Sequence, residues 1–314
     1  MERRVLAIVG PTASGKSKLA IKIAQRLKTE IISADSRQIF KELTIGTAKP
    51  DEEDLKKIKH HFINHISLNE QYDVGKFVKE AEKIINELHS LNKIPIVVGG
   101  SGLYINSLLY GIFEGPSADE EIRQSLEKEL REKGLESLCQ KLMEFDPETC
   151  AKIDKNNPRR IIRALEVYYL TGKPISQIQR EKHKTPEFET LIFGLKWERQ
   201  KLYERINRRV DQMIKAGLID EVQNILKKFG GDVNVALQTV GYKEVIEFLN
   251  EEISYDDMIE LIKRNTRRYA KRQLTWFRKD KNIQWIEIQS EDEFEEIAER
   301  IINKIVEGKN ERQN

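Results

Sequence analysis

The chain has 314 residues, and its 54 Lys and Arg residues nearly balance its 52 Asp and Glu residues, which leaves a formal net charge of +2. This length is typical of one large domain or two modest ones. No apolar run approaches the ~18 residues that a membrane span requires, so we expect no membrane partner. The small net charge, taken alone, argues against a nucleic-acid partner, because nucleic-acid-binding domains are usually basic.

The amino-terminal segment does not have the pattern of a secretion signal. Charged residues lead from Met1 directly into the apolar run Val5–Val9. This run is too short for the core of a signal peptide, and no small-residue cleavage site follows it. We therefore expect a cytoplasmic protein.

The cysteines and clustered histidines are the candidate ligands for a transition metal. Cys139 and Cys150 are too few for a disulfide framework and lack the Cys-x-x-Cys spacing of structural zinc sites, so we expect ordinary helical residues. His60, His61 and His65 have no carboxylate or cysteine among them. We therefore expect no metal site at either group.

The first hundred residues alternate short apolar runs with helical patterns. The runs Val5–Val9, Glu30–Ser33 and Ile94–Val98 predict strands, and Lys16–Leu27 and Gly75–Leu91 predict helices. Strands that alternate with helices are typical of βαβ units. The sequence therefore predicts an α/β fold with a mostly parallel sheet flanked by helices.

Residues 115–190 have a different pattern, made of charged helices with a 3.6-residue period. We interpret them as an inserted all-helical domain between two halves of a catalytic core, 1–114 and 191–314. The remaining predicted elements are helices Asp119–Lys133, Leu135–Phe145 and Pro158–Leu170, strand Leu191–Trp197, helices over Arg199–Phe229, Val240–Leu249 and Ser254–Lys279, strand Ile283–Ile288 and helix Glu291–Val306.

A phosphate-binding motif follows the first strand and opens the first helix. The sequence Gly10-Pro11-Thr12-Ala13-Ser14-Gly15-Lys16-Ser17 fits G-x-x-x-x-G-K-[ST], which favours the fold of P-loop NTPases over a simple glycine turn. Backbone N–H groups at a helix N-terminus surround a phosphate, Lys16 adds a positive charge, and the Ser17 hydroxyl is a candidate Mg²⁺ ligand. The motif predicts a diphosphate or triphosphate ligand without distinguishing them.

Two further segments are predicted at the same edge of the sheet. Asp35 follows the second strand, where open α/β sheets bind ligands, as a general base, a Mg²⁺ ligand or the cap of the next turn. The strand Ile94–Val98 ends in Gly99-Gly100-Ser101-Gly102. An NTPase usually has a carboxylate there, whereas glycines permit close approach of a substrate.

The segment Lys263–Lys279 contains eight basic residues and no acidic ones, with Tyr269, Trp276 and Phe277 among them. Such a helix suits contact with a phosphate backbone, with rings available for stacking. The alternative is a solvated helix whose aromatic residues face the core. The near-zero net charge hides this segregation, because Glu287–Asn314 has nine acidic residues against four basic ones.

A second basic cluster lies at the start of the helix Pro158–Leu170. Arg159 and Arg163 are four positions apart and so share one helical face, with Arg160 beside them. Because like charges on one face repel each other, we expect a ligand-binding role.

A third cluster comprises Arg205, Arg208 and Arg209. One of these arginines is a candidate clamp on the bound phosphates. The alternative is surface ion pairing with Glu204 and Asp211.

The chain resembles the bacterial tRNA dimethylallyltransferases, also called tRNA isopentenyltransferases. The matching segments occur in the family's order: GPTASGKS at 10–17, DSRQ at 35–38, GTAKP at 46–50, VGGSGLYI at 98–105, NNPRRIIRALE at 156–166 and AGLIDEV at 216–222. One departure is Asn64, where the family usually has aspartate, and this puts the role of that position in doubt.

The resemblance implies transfer of a dimethylallyl group from dimethylallyl diphosphate to N6 of the adenosine 3′-adjacent to the anticodon, with Mg²⁺ assisting. Asp35 is then the candidate general base for the exocyclic amine. Charge on the departing diphosphate is stabilised by the loop amides, Lys16, Mg²⁺ at Ser17 and an arginine, for which we favour Arg209.

The resemblance also implies that the anticodon stem-loop of a tRNA is the partner. We expect a monomer, because the sequence has no obvious association segment. Polar groups at the sheet edge hold a base removed from its stack, and arginines of the helical domain hold the backbone. The implied tRNA-binding residues are Asp35, Ser36, Arg37, Gln38, Ser101, Arg123, Arg159, Arg160, Ile161, Ile162 and Arg163.

Two other functions compete with this interpretation. A P-loop kinase or NTPase would use ATP, with Asp35 as base for a small-molecule hydroxyl and the helical insertion as a lid. A non-catalytic RNA-binding protein would explain the basic helices. It would not explain the combination of Lys16, Ser17 and Asp35.

Overall fold

The structure is a computed structural model that describes residues 3–113, 115–181, 183–230 and 234–310. The chain divides into two compact units. Unit 1 comprises Met1–Leu109 and Glu187–Asn314, and unit 2 comprises Tyr110–Pro186. None of the described helices combines the length and apolar character that a membrane crossing requires.

The described residues contain eight strands, of which six form one parallel sheet in unit 1. The strands are β1 (Arg4–Val9), β2 (Ile31–Ser33), β3 (His60–His61), β4 (Ile96–Gly99), β5 (Ile112–Phe113), β6 (His183–Lys184), β7 (Glu189–Trp197) and β8 (Ile283–Ile288). The order in the large sheet is β3-β2-β4-β1-β7-β8. Every neighbouring pair in it is parallel, which confirms the predicted α/β fold.

Helices connect the parallel strands and make up most of unit 2. Those of the described residues are α1 (Lys16–Leu27), α2 (Glu52–Lys57), α3 (Val74–Ser90), α4 (Gly102–Tyr110), α5 (Glu120–Phe145), α6 (Pro147–Lys152), α7 (Pro158–Thr171), α8 (Ile175–Glu181), α9 (Arg199–Lys215), α10 (Leu218–Phe229), α11 (Asn234–Leu237), α12 (Tyr242–Leu249), α13 (Tyr255–Phe277) and α14 (Phe294–Asn310).

The core of unit 1 is built around its central strand. All six residues of β1 are buried, as expected for a parallel strand covered on both faces. The apolar sides of α1, α9 and α14 pack into the same cluster through Leu19, Ile206 and Ile301. This packing supports the edge of the sheet from which the phosphate loop emerges.

Unit 2 has a core of its own, formed mainly by α5, α6 and α7. Its α5 contains the two helices predicted separately, with Gly134 between them in a non-helical conformation at φ 78°. Cys139 is partly buried and Cys150 buried, both in helices as expected. In addition to its helices, unit 2 contains the antiparallel ribbon of β5 and β6, which the sequence did not predict.

Candidate active site at the carboxyl edge of the sheet

Three neighbouring strands, β2, β4 and β1, deliver the predicted segments to one edge of the sheet. Ser101 Oγ accepts a hydrogen bond of 3.0 Å from Ser36 N, which links the segments after β4 and β2. A Cβ at Gly99 would collide with the Ala34 carbonyl, so only glycine permits this approach. The parallel topology therefore explains why residues from separate motifs meet here.

The phosphate loop has the backbone that its glycines predict. Gly15 precedes α1 in the left-handed region, with φ 86°, and no side chain caps the first turn of the helix. A Cβ on Gly15 would also collide with the buried ring of Phe294. Since the first N–H groups of a helix have no partner within it, this end of α1 suits an anion.

Two side chains from β7 and α9 support the loop from behind. Trp197 Nε1 donates to the carbonyl of Ser14 at 2.9 Å, and Arg205 Nε donates to that of Ala13 at 2.8 Å. The Arg205 guanidinium stacks on the Trp197 ring at 4.2 Å and pairs with Glu291. Arg205 is therefore occupied by the protein itself.

The sequence left open that the third arginine cluster forms surface ion pairs with Glu204 and Asp211. This alternative is wrong for Arg205 and for Asp211. Glu204 is not the partner of Arg205, and Asp211 pairs with Lys263 at 2.9 Å. The partners come from distant parts of the chain, which helical spacing does not reveal.

The structure brings Lys16, Asp35 and Arg209 into one electrostatic neighbourhood. Lys16 Nζ donates to the Pro11 carbonyl at 3.1 Å. Burial lowers the pKa of Lys16 to about 8; the Asp35 carboxylate opposes this shift and Arg209 adds to it. Burial likewise lowers the pKa of Arg209 to about 10, again against the influence of Asp35. The Asp35 carboxylate therefore lies close enough to both cations to oppose the lowering of their pKa values.

Asp35 caps the turn that follows it. Its Oδ1 accepts hydrogen bonds from the backbone N–H groups of Arg37 at 2.9 Å and Gln38 at 3.3 Å. Among the described residues, none donates to its Oδ2. The capping role thus uses one oxygen, and the second is available to a ligand.

Two residues of α13 belong to this site although the sequence did not single them out for it. Gln273 is buried, accepts from Thr12 N at 2.8 Å and donates to the Gly100 carbonyl at 2.9 Å. Burial raises the pKa of Tyr269 to about 12, and the nearby Asp35 adds to the shift. The sequence signal that could have found them is their i, i+4 spacing, which places Tyr269 and Gln273 on one face of the helix.

The basic segment on α13 is divided between two faces. Phe277 is buried and Trp276 packs on Gly102, so the core-facing alternative is right for these two rings. Lys263 pairs with Asp211, and Arg267 donates to Asn207 at 2.7 Å. The exposed basic face, so defined, consists of Arg264, Arg268, Lys271 and Arg272.

In unit 2, two of the predicted tRNA-binding arginines hold a buried carboxylate. Glu166 is fully buried and accepts hydrogen bonds from Arg163 Nη1 at 2.6 Å, Asp119 N at 2.8 Å and Arg123 Nη2 at 3.3 Å. Arg123 Nε also forms an ion pair with this carboxylate at 2.8 Å. Burial by itself would raise the pKa of Glu166, but these hydrogen bonds hold it below its ordinary value. Arg123 thus joins α5 to α7, and Arg163 binds Glu166 within α7 and the Pro116 carbonyl at 2.7 Å. Like-charge repulsion had led us to discount such a structural role for Arg163.

The neighbours of Arg163 divide in the same way between core and surface. Arg159 and Arg160 are exposed. Ile161 and Ile162, predicted to bind tRNA, are buried in the core of unit 2 at 0% and 8% exposure. The prediction is corrected for these two side chains, because the apolar stripe of α7 faces inward.

The histidines have separate partners. His60 Nδ1 lies 2.8 Å from the Ile58 carbonyl, His61 Nε2 lies 2.7 Å from Glu30, and His65 Nε2 lies 2.9 Å from Glu80. Within the described ranges, no group of three or more His, Cys, Asp or Glu residues is arranged to hold a metal ion. Their hydrogen bonds accordingly serve local structure.

Comparisons with known proteins identify the family. The model of the family "IPP transferase" matches residues 38–280. Proteins named tRNA dimethylallyltransferase from Acetivibrio thermocellus and Caldanaerobacter subterraneus are 50% and 46% identical to this chain, which they cover to 96% each; the alignments span 96% and 97% of those proteins.

Solved structures show the same relationship. The full-length tRNA isopentenylpyrophosphate transferase of Bacillus halodurans has a TM-score of 0.71 and 38% identity, with all of both chains covered. A eukaryotic dimethylallyltransferase acting on tRNA has a TM-score of 0.77 and 30% identity over 90% of this chain and 73% of its own. The chain therefore belongs to the IPP transferase family of prenyl-transferring enzymes.

Proposed function

We propose that the protein transfers the dimethylallyl group of dimethylallyl diphosphate to N6 of the adenosine 3′-adjacent to the anticodon of tRNA. The observation that carries this proposal is the convergence of Lys16, Asp35 and Arg209 beside the phosphate loop. The two cations, Lys16 and Arg209, suit a diphosphate. The nearby carboxylate of Asp35 suits the amine that replaces the diphosphate on the allylic carbon. The names of the relatives supply the class of both substrates.

The phosphate loop and the two cations hold the diphosphate. As the bond between the allylic carbon and the diphosphate oxygen breaks, negative charge develops on the leaving group. The amides at the start of α1, the Lys16 ammonium and the Arg209 guanidinium face that charge. A bound anion favours the protonated form of Lys16, which then carries its full charge.

Asp35 serves as general base. The lone pair of N6 forms the new bond to the allylic carbon, the carbon–oxygen electrons leave with diphosphate, and the N6 proton passes to Asp35 Oδ2. Because Oδ1 accepts two backbone hydrogen bonds, the orientation of the carboxylate is set before substrate binds.

The residues at the loop fit a magnesium ion held largely by the substrate. Mg²⁺ usually binds through one or two protein oxygens together with phosphate oxygens and water. Ser17 Oγ in the first turn of α1 is the protein oxygen that would hold it. When bound, Mg²⁺ neutralises charge on the diphosphate.

The tRNA is held by polar groups at the sheet edge and by exposed basic residues. Ser36, Arg37, Gln38 and Ser101 meet the base once it leaves its stack, at a cost of a few kcal/mol. Phosphates are met in unit 2 by Arg159 and Arg160, and in unit 1 by the exposed basic face of α13. We place this enzyme in the cytoplasm as a monomer.

Mass spectrometry of nucleosides tests the proposal. The purified protein is incubated with unmodified tRNA, Mg²⁺ and either dimethylallyl diphosphate or ATP, and the tRNA is then digested. We expect adenosine that carries one dimethylallyl group after incubation with dimethylallyl diphosphate, and none after incubation with ATP. An unmodified digest would contradict the proposal, and phosphorylation of a small acceptor by ATP would support a kinase instead.

A further inference from the structure

Glu221, in the first turn of α10, binds three successive backbone amides of a distant loop. Its carboxylate accepts from Thr44 N at 3.2 Å, Ile45 N at 2.8 Å and Gly46 N at 3.3 Å. The loop and the glutamate are more than 170 positions apart in the chain. A single carboxylate therefore holds one side of residues 44–48.

Tyr242 completes this anchor. Its hydroxyl donates to Glu221 Oε1 at 2.6 Å. Burial raises the pKa of Tyr242 well above its ordinary value, and Glu221 adds to the shift, so the hydroxyl remains a donor. The tyrosine ring packs so closely on Gly46 that a Cβ there would collide with it. The anchor thus fits this loop in shape as well as in hydrogen bonding.

The end of the loop is held by a lysine. Lys49 Nζ donates to the carbonyls of Phe40 at 2.6 Å and Lys41 at 3.2 Å, and to Asn64 Oδ1 at 2.6 Å. Asn64 supplies a neutral acceptor to this lysine. Ala48, between the two anchors, has a left-handed conformation with φ 47°, which a non-glycine residue adopts only when its surroundings support it.

The anchored loop holds two residues of the candidate site. Gln38 Nε2 donates to the carbonyls of Thr47 at 3.1 Å and Ala48 at 3.2 Å. Arg209 Nη2 lies 3.5 Å from each of the same two oxygens. The orientation of a base-binding amide and of a diphosphate-binding guanidinium thus depends on one pair of carbonyl groups.

We propose that Glu221 is a positioning residue that sets the orientation of Gln38 and Arg209 through residues 44–48. This inference rests on the proposed function, which assigns those two side chains to the target base and the diphosphate. Without the carboxylate, three amides lose their acceptor and the two carbonyls are free to move. A displacement of about 1 Å at reacting groups lowers a rate by about a hundredfold.

The test compares Glu221→Gln with Asp220→Asn, which removes the same charge from the same turn at an exposed position that has no anchoring bonds. For Glu221→Gln we expect a kcat at least tenfold lower and weaker binding of inorganic diphosphate, with a much smaller change in tRNA affinity. Hydrogen exchange at the amides of residues 44–46 should accelerate. Asp220→Asn should match the wild type in kcat, diphosphate binding, tRNA affinity and hydrogen exchange. Tyr242→Phe should give values between those of the wild type and of Glu221→Gln.

Coupling to Gln38 gives the deciding measurement. In a Gln38→Ala background, Glu221→Gln should lower kcat by a smaller factor than in the wild type, because one of the two side chains that Glu221 positions is gone and only the effect through Arg209 remains. Equal factors in both backgrounds, or faster exchange with unchanged kcat and diphosphate affinity, would overturn the inference. The inference would also be overturned if the losses of kcat and diphosphate affinity only matched the fraction of unfolded protein. If the wild type transfers no prenyl group, the proposed function fails, while exchange and diphosphate binding still decide whether Glu221 orders the loop and Arg209.

Discussion

Gln273 and Thr12 are joined by a hydrogen bond that links helix α13 to the phosphate loop. The side-chain Oε1 accepts from Thr12 N at 2.8 Å, and the Nε2 of the same amide donates to the Gly100 carbonyl at 2.9 Å. One buried side chain therefore connects the segments that follow β1 and β4. Gly100 leaves room for it, since a Cβ there would collide with Gln273 Nε2.

Gln273→Leu should weaken both the fold and the site. Two backbone groups lose their partner, and each buried unsatisfied group costs about 1–3 kcal/mol. We expect a lower free energy of unfolding by calorimetry and weaker diphosphate binding. Thr275→Ala, at an exposed position on the same helix, is the control. An unchanged diphosphate affinity would show that the bridge does not shape the loop.

Asp35→Asn separates the base from the turn cap. The amide oxygen still accepts from Arg37 and Gln38, but the side chain no longer takes a proton. Turnover of tRNA under saturating substrates should fall by about 10²–10⁴-fold, with a much smaller change in tRNA affinity. Asp35→Ala removes the cap as well and should also lower stability. Weaker tRNA binding with normal turnover at saturation would assign Asp35 to recognition instead.

Arg159→Ala and Arg160→Ala should weaken tRNA binding without loss of stability. Each lost phosphate contact flattens the plot of log Kd against log salt concentration by about one unit. Filter binding across a salt series measures this slope. An unchanged slope for both variants would remove these arginines from the interface.

Arg163→Ala, by contrast, should destabilise unit 2. The buried Glu166 loses one of its two arginine partners, and a hydrogen bond to a charged group contributes about 1.5–3 kcal/mol. Thermal unfolding is the measurement. If the variant unfolds like the wild type and loses only tRNA affinity, the arginine serves the interface rather than the fold.

Diphosphate affinity should decrease as the pH rises through about 8. The pKa of Lys16 is lowered to about 8, so the ammonium is present below that pH and is lost above it. An anion binds the protonated form, and the Kd should increase by up to about tenfold per pH unit above the pKa. Calorimetric titration from pH 6.5 to 9.5 tests this.

Lys16→Arg is the matched control for the pH dependence. Arginine stays charged throughout this range, so the variant should show no rise in Kd near pH 8 beyond that of the ligand itself. The same profile in both proteins would assign the titration to another group.

The fold class and the phosphate loop were predictable because their sequence signals are local. Apolar runs and helical periods indicated the strands and most helices within a few residues, and β3 and α2 were missed because they are only two and six residues long. The loop motif occupies eight consecutive residues whose backbone geometry follows from their own glycines. Asp35 was placed at the sheet edge because it follows directly after the second predicted strand.

The partners of individual side chains were not predictable in this way. Helical spacing indicated that Arg159 and Arg163 share a face, but only the packing of α5 on α7 showed that Arg123 binds Glu166. Similarly, charge counting identified α13 as basic without revealing that Gln273 faces the loop. Both depend on contacts between residues far apart in the chain.

By itself, the sequence determined the α/β class, the anion-binding loop, the family and the residues that carry charge, because each is encoded in a contiguous segment. Only the tertiary structure decided which of those charges remain available to a ligand. Burial and long-range hydrogen bonding occupy Arg123, Arg163 and Arg205, leave the basic face of α13 exposed, and join Glu221 to residues 44–48. The packing of elements that are far apart in the chain therefore determines which charged side chains a ligand can reach.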